Sequence, residues 1–206
     1  MSKSRGRPKD PDLSHRRCRE ILQAATGVFA SEGYRNTDMQ SIADAAGVSK
    51  GTLYTYYESK EKLFLSACRL GVELLSEKIE ASYDKSQSFL DRLPKAIHAY
   101  LVFFDENPEI VELLMQERAE FRDRKQSTYF EHKAARSAKF TSEIEADIRD
   151  GKLRDLPVNR VKDVVGDLLY GTIFANHFRG RIKSLEAQSE DIIDVLMNGI
   201  ASSEKH

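Results

Sequence analysis

The sequence predicts an all-α chain with a small N-terminal unit built around a helix-turn-helix and a larger helical bundle behind it. Apolar residues recur at helical spacing from Ile21 to Ile200, and no stretch alternates as a strand would. Only 5 prolines and 11 glycines interrupt 206 residues, and charged residues reach 32%, a mix that favours helices over sheet. Between residues 37 and 60, two short amphipathic stretches flank Gly47, which has the spacing of two crossing helices joined by a tight turn.

Taken in order, residues 1–13 are polar, carry Pro8 and Pro11, and read as a flexible basic arm. Helix one is expected over 14–31, with Ile21, Leu22, Ala25, Val28 and Phe29 on its apolar stripe and Gly33 ending it. Thr37 and Gln40 have capping-box spacing, so helix two should start there and run over 38–46, with Ile42, Ala45 and Ala46 apolar. Ser49 can cap helix three, over 49–57, and Ser59 can cap a long helix four reaching about residue 83. Helix four passes from the first unit into the second and is the natural lever between them. The boundary is placed at residues 62 and 63, dividing 14–62 from 63–206. Further helices are expected over 89–107, over 108–116 with Pro108 in its first turn, over 127–150, over 158–179 and over 190–202.

The helix-turn-helix carries the most specific chemistry. Leu53 and Tyr57 lie one turn apart and face inward, which leaves Lys50, Gly51, Thr52, Tyr54 and Thr55 at the start of helix three or outside it. Free N–H groups at that start suit phosphate. Lys50 is long enough for a phosphate or a guanine edge, Thr52 for a phosphate or a thymine methyl, and Gly51 permits close backbone approach. Tyr54 and Tyr56 can donate to phosphates, and Gln40 can reach backbone or base. A short helix with such an end fits a major groove.

Residues 33–34, 42–54 and 56–64 (Gly-Tyr, then Ile-Ala-Asp-Ala-Ala-Gly-Val-Ser-Lys-Gly-Thr-Leu-Tyr, then Tyr-Tyr-Glu-Ser-Lys-Glu-Lys-Leu-Phe) resemble the TetR family of bacterial transcriptional regulators. The resemblance implies an N-terminal helix-turn-helix DNA-binding domain and a C-terminal helical-bundle ligand-binding and dimerisation domain. It implies DNA contacts at Lys50, Gly51, Thr52, Tyr54 and Tyr56, with Lys60 as a phosphate clamp, although other members often have histidine where Tyr56 stands. It also implies a small-molecule effector and a two-fold dimer through the last two helices, in which Gly166, Gly171 and Ala175 leave room for a partner helix. Two reading helices would then face an inverted-repeat operator.

Net charge alone, at −1, argues against nucleic acid, but its distribution does not. Residues 1–62 carry 11 Lys and Arg against 8 Asp and Glu, while residues 63–206 carry 21 against 25. Arg5-Gly6-Arg7-Pro8 in the arm has the form of a minor-groove insert, and a plain solvated basic tail is the alternative.

In the second unit the effector candidates are Tyr100, Phe103, Phe104, Met115, Tyr129, His132, Phe174 and His177, with Phe121, Phe130 and Phe140 beside them. Aromatic residues at this spacing also build ordinary cores. The histidines lack paired-ligand spacing, so no metal and no cofactor are expected. Cys18 and Cys68 form no disulfide framework and fit a reducing cytosol, with both thiols read as inert. The basic N-terminus lacks the apolar stretch of a secretory segment, and the run 164–175 contains Asp167, so no membrane span is expected. No nucleophile-base pattern or phosphate loop points to an enzyme. A DNA-compacting architectural protein is the other class the basic arm admits.

Overall fold

A computed structural model describes residues 11–180 and 183–200; the arm residues Arg5 and Arg7 lie outside them. The described residues form helices only: α1 (Pro11–Glu32), α2 (Met39–Ala45), α3 (Lys50–Tyr56), α4 (Lys60–Ala81), α5 (Phe89–Glu106), α6 (Pro108–Glu120), α7 (Thr128–Arg149), α8 (Val158–Phe178) and α9 (Leu185–Asn198).

The caps explain most boundaries. Ser49, Ser59 and Ser88 have extended backbones, and each hydroxyl accepts from an N–H in the helix it opens, on Thr52, Lys62 and Asp91 respectively. Gly47 turns the chain between α2 and α3 at φ 63°, a conformation that costs a side-chain-bearing residue free energy.

Three expectations are corrected. Thr37 is not the cap of α2. Its buried hydroxyl donates to the Gly33 carbonyl at 2.8 Å and closes the α1–α2 turn, and Asp38 caps instead, accepting from Gln40 N–H at 2.8 Å. Helix α9 starts at Leu185 rather than 190, because Ser184 accepts from Ala187 N–H at 3.1 Å and Leu185 is buried; it ends before Gly199. Helix α6 runs on to Glu120, since Leu113, Leu114 and Glu117 all face inward.

Two cores result. The first joins Ile21, Ala25 and Phe29 of α1 with Ile42, Ala43 and Leu53, but it also takes Leu63, Phe64, Ala67 and Cys68 from α4 and Leu113 from α6. The two units therefore share α4 rather than separating at residue 62. The second core packs α5 against α4, α6 and α9, with Ile97, Leu101 and Phe104 at its centre and Leu169 and Ile173 from α8.

Candidate nucleic-acid interface and effector cavity

Helix α3 has one buried side chain, Leu53, which fixes its orientation on the first core. Gly51, Thr52, Tyr54 and Thr55 are exposed as a result, and Tyr54 shows 44% of its surface to solvent. Thr52 Oγ1 lies 2.8 Å from Ser49 Oγ, and the Thr55 hydroxyl donates back to Gly51 O. Tyr57 is half-buried, and burial, with Cys18 beside it, pushes its hydroxyl up to about 12. Tyr56 is also partly buried against the first core and offers less outward surface than expected.

The cations of this surface are tied down. Lys50 Nζ donates to Asp38 Oδ1 at 2.9 Å, which links α3 to the cap of α2. The Gln40 N–H, and then Lys50, hold the Asp38 carboxyl below its usual range, and the Asp38 contact raises Lys50. Gln40 is exposed but spends its side-chain amide on Asp44 Oδ1 at 2.7 Å. Lys60 departs furthest from expectation. Its ammonium donates to the carbonyls of Arg35 and Thr37 at 3.1 and 3.0 Å and sits 4.8 Å from the Tyr34 ring centroid. Two of its three hydrogens hold the α1–α2 turn, leaving one for anything outside.

The second unit holds a half-open cavity of about 630 Å³ between α4, α5, α7 and α8. Val72, Leu75, Ile79, Leu93, Ile97 and Leu169 supply apolar wall. Tyr100 and Tyr129 line it with their hydroxyls 3.0 Å apart, both raised by burial, Tyr129 to about 12. His132 lines it and places Nε2 2.7 Å from Ser76 Oγ; that hydroxyl also donates to Val72 O, so the ring nitrogen is the natural donor. Phe130 and Phe140 join the lining.

The other candidates do not reach it. Phe103 and Phe104 are buried in the second core, and Met115 packs against that core. Phe174 packs against Tyr170 with tilted rings 4.5 Å apart, and Phe121 stacks on Phe64 in the first core at 5.6 Å. His177 Nε2 faces Glu112 Oε2 at 3.3 Å, joining α8 to α6. Gly166 is not open to a partner helix either: Lys133 occupies the space beside it, whereas nothing lies within 4 Å of the Cβ position at Gly171.

Helix α6 connects the units. Gln116 accepts from Tyr34 N–H at 2.9 Å and donates to Phe29 O at 3.0 Å and to Glu112 Oε1 at 3.0 Å. Arg35 adds an ion pair to Glu120 at 2.7 Å. A polar chain thus runs from His177 on α8 through Glu112 and Gln116 to the end of α1. On the outer faces of α8 and α9, Val164, Leu168, Phe178, Val195 and Met197 are exposed, Phe178 by 70%.

The model of the bacterial regulatory proteins of the tetR family matches residues 21–67, which span the end of α1, the helix-turn-helix and the start of α4. An uncharacterised HTH-type transcriptional regulator of Bacillus subtilis, YhgD, is 32% identical over 123 residues, 55% of this chain and 64% of that protein. The HTH-type transcriptional repressor KstR2 of Mycolicibacterium smegmatis is 25% identical over 199 residues, covering 96% of this chain and 97% of the relative. Among solved structures, the transcriptional regulator FadR of Bacillus subtilis in complex with stearoyl-CoA superposes with a TM-score of 0.73 at 20% identity, over 89% of this chain and 99% of that one.

Residues 21–67 carry the match to the TetR family of bacterial transcriptional regulators, and the relatives that align beyond them are HTH-type transcriptional regulators. The chain is a DNA-binding regulator with an N-terminal helix-turn-helix and a C-terminal helical domain. Among the described residues no helix is long and apolar enough to cross a membrane, and no cluster of three His, Cys, Asp or Glu could hold a metal.

The sequence alone does not single out Asp38 as the counter-ion of Lys50, or the polar lining residues Ser76, Lys133, Arg136 and Lys162. A signal for part of the lining existed. Tyr129, Lys133, Ser137, Phe140 and Ile144 follow one another by three or four residues, one face of α7.

Proposed function

We propose that this chain is a homodimeric repressor that binds an inverted-repeat operator and leaves it when a small, largely apolar molecule enters the bundle cavity. The observation that carries the reading is the pairing of an outward, capped first turn of α3 with a hollow second unit, the two linked through α4, which enters both cores. Lys50, Gly51, Thr52 and Tyr54 form the groove-facing set, with Gln40 beside them and Tyr56 and Lys60 as lesser phosphate contacts. Arg5 and Arg7 of the arm enter an adjacent minor groove. The exposed apolar faces of α8 and α9 meet their copies across a two-fold axis, so two reading heads face successive major grooves. Repression is favoured because the repressor KstR2 aligns over nearly the whole chain, and an acyl-type effector because FadR was crystallised with stearoyl-CoA.

Release needs differential binding: the effector must favour the state that does not fit the operator. A thousandfold loss of affinity corresponds to about 4 kcal/mol of coupling. Helix α4, which belongs to both cores, is the element that carries it, beside α6, which the Gln116 contacts tie to the end of α1.

Selection of bound duplexes from a random pool tests the reading. One enriched inverted repeat is expected, with Lys50→Ala weakening it by about 1–3 kcal/mol. Deleting residues 1–9 should cost most where A·T pairs flank the half-sites. Uniform recovery of random duplexes would replace the regulator with an architectural protein.

A further inference from the structure

The charges lining the cavity are unevenly satisfied. Arg136 lies against Glu80, which also accepts from Lys85 at 2.7 Å. Lys162 donates only to hydroxyls, Ser137 Oγ at 2.6 Å and Thr141 Oγ1 at 3.1 Å, and meets no carboxylate among the described residues. Lys133 is half-buried in the lining and has neither a hydrogen-bond acceptor nor a counter-ion among them. Its ammonium lies across from α7 against α8, in the space left by Gly166, where an added Cβ would stand 2.4 Å from Nζ. Lys162 is one turn before Gly166 on the same face of α8. Two cations that meet no carboxylate therefore stand on the α7–α8 wall of a largely apolar cavity, where an anion would supply the charged partner that each lacks.

We propose that Lys133, seated against Gly166 and seconded by Lys162, anchors the acidic head group, carboxylate or phosphate, of the cavity's ligand. The apolar remainder lies along Leu75, Ile79, Leu93, Ile97 and Leu169. This rests on the reading that the cavity takes an apolar molecule and adds the charge and polarity of its head.

Equilibrium dialysis of the full chain against hexadecanoate, hexadecanoyl-CoA and hexadecanol below their aggregation limits tests it. Wild type should bind an anionic probe about tenfold tighter than the alcohol, and whichever anion is preferred identifies the head as carboxylate or phosphate-bearing. Lys133→Met should remove that preference while leaving hexadecanol affinity unchanged, and Lys133→Arg should keep most of it. Gly166→Ala keeps the lysine but displaces its end, so the preference should fall severalfold without loss of thermal stability, alanine being the better helix former. If wild type holds the alcohol as tightly as the anions, or if Lys133→Met and Gly166→Ala discriminate as wild type does, the anchor is refuted while the cavity reading stands. If no probe binds a protein that still holds its selected operator, the cavity reading falls with it.

Discussion

The reading head and the bundle behind it solve opposite packing problems. In the head, Ile21, Ala25, Phe29, Ile42, Ala43, Leu53, Leu63 and Phe64 are wholly excluded from solvent, and Phe29, Tyr34, Phe64 and Phe121 interlock with neighbouring centroids 5.0 to 6.1 Å apart. Its surface cations are braced as well, Lys50 by Asp38 and Lys60 by two carbonyls. The bundle instead keeps a hollow of about 630 Å³ whose lining side chains lack atoms to touch on one side. A filled core resists continuous deformation and moves as a body. A hollow one changes when something fills it. The difference assigns sensing to the bundle and presentation to the head, and leaves α4 and α6, which belong to both cores, to connect them.

The largest effect expected from that contrast is on stability. Phe64→Ala removes a ring at the centre of the head and should cost about 3–5 kcal/mol, enough to melt the helix-turn-helix. Leu93→Ala, on a half-buried wall that already faces empty space, should cost about 1 kcal/mol. Urea unfolding of the two variants compares them directly. Similar losses would mean that the hollow is closed in solution and the contrast is false.

Gln116→Ala probes the joint. It strips the Tyr34 N–H of its partner, while the Phe29 carbonyl keeps the Gly33 N–H at 2.9 Å, and should cost about 1–3 kcal/mol. More telling is the operator response: repeat titrations with effector present should show a smaller drop in affinity than wild type, with effector affinity itself unchanged. An undiminished response would leave α4 as the sole connection.

How far the sequence disclosed this architecture depended on whether the deciding contact was local. Ser49, Ser59 and Ser88 cap their own next turn, and helical starts set by such contacts are legible. Ser184 does the same for α9, but Lys183 and Leu185 around it resemble a connector, so the true start was passed over. The outward side of α3 followed from Leu53 and Tyr57, one turn apart, and Leu53 is the residue that the helix buries. The structural contacts of Lys60 were not legible because its partners are backbone carbonyls 23 and 25 residues away, which no side-chain pattern records. The cavity was half legible: Tyr100, Tyr129 and His132 line it, yet Phe103, Phe104 and Phe174 have the same helical spacing and are packed core. Periodicity says that a face turns inward; whether another helix fills the space in front of it depends on tertiary packing.

The finest test of the contrast uses two phenols, one in each region. Burial raises both Tyr57 and Tyr129 to about 12, against about 10 in an unfolded chain. Raised folded values mean that the neutral form is favoured by folding, so the stabilisation is complete below pH 10 and is lost as pH climbs from 10 towards 12. For Tyr129, sealed beside Tyr100 at 3.0 Å, the loss between pH 9 and 11 should approach 1.4 kcal/mol by the order of magnitude of that shift. For Tyr57, half in water, solvent screening should leave only a fraction of it. Tyr129→Phe and Tyr57→Phe keep ring and volume, and alkaline groups away from the substituted phenol, Cys68 included, cancel when each variant is compared with wild type; Tyr100, which loses its partner in Tyr129→Phe, belongs to the same measured change. The pH dependence of unfolding should therefore flatten clearly in Tyr129→Phe and little in Tyr57→Phe. The reverse order would place the drier phenol in the head and open Tyr129 to solvent, in which case the cavity would be a water-filled cleft rather than a site for an apolar ligand.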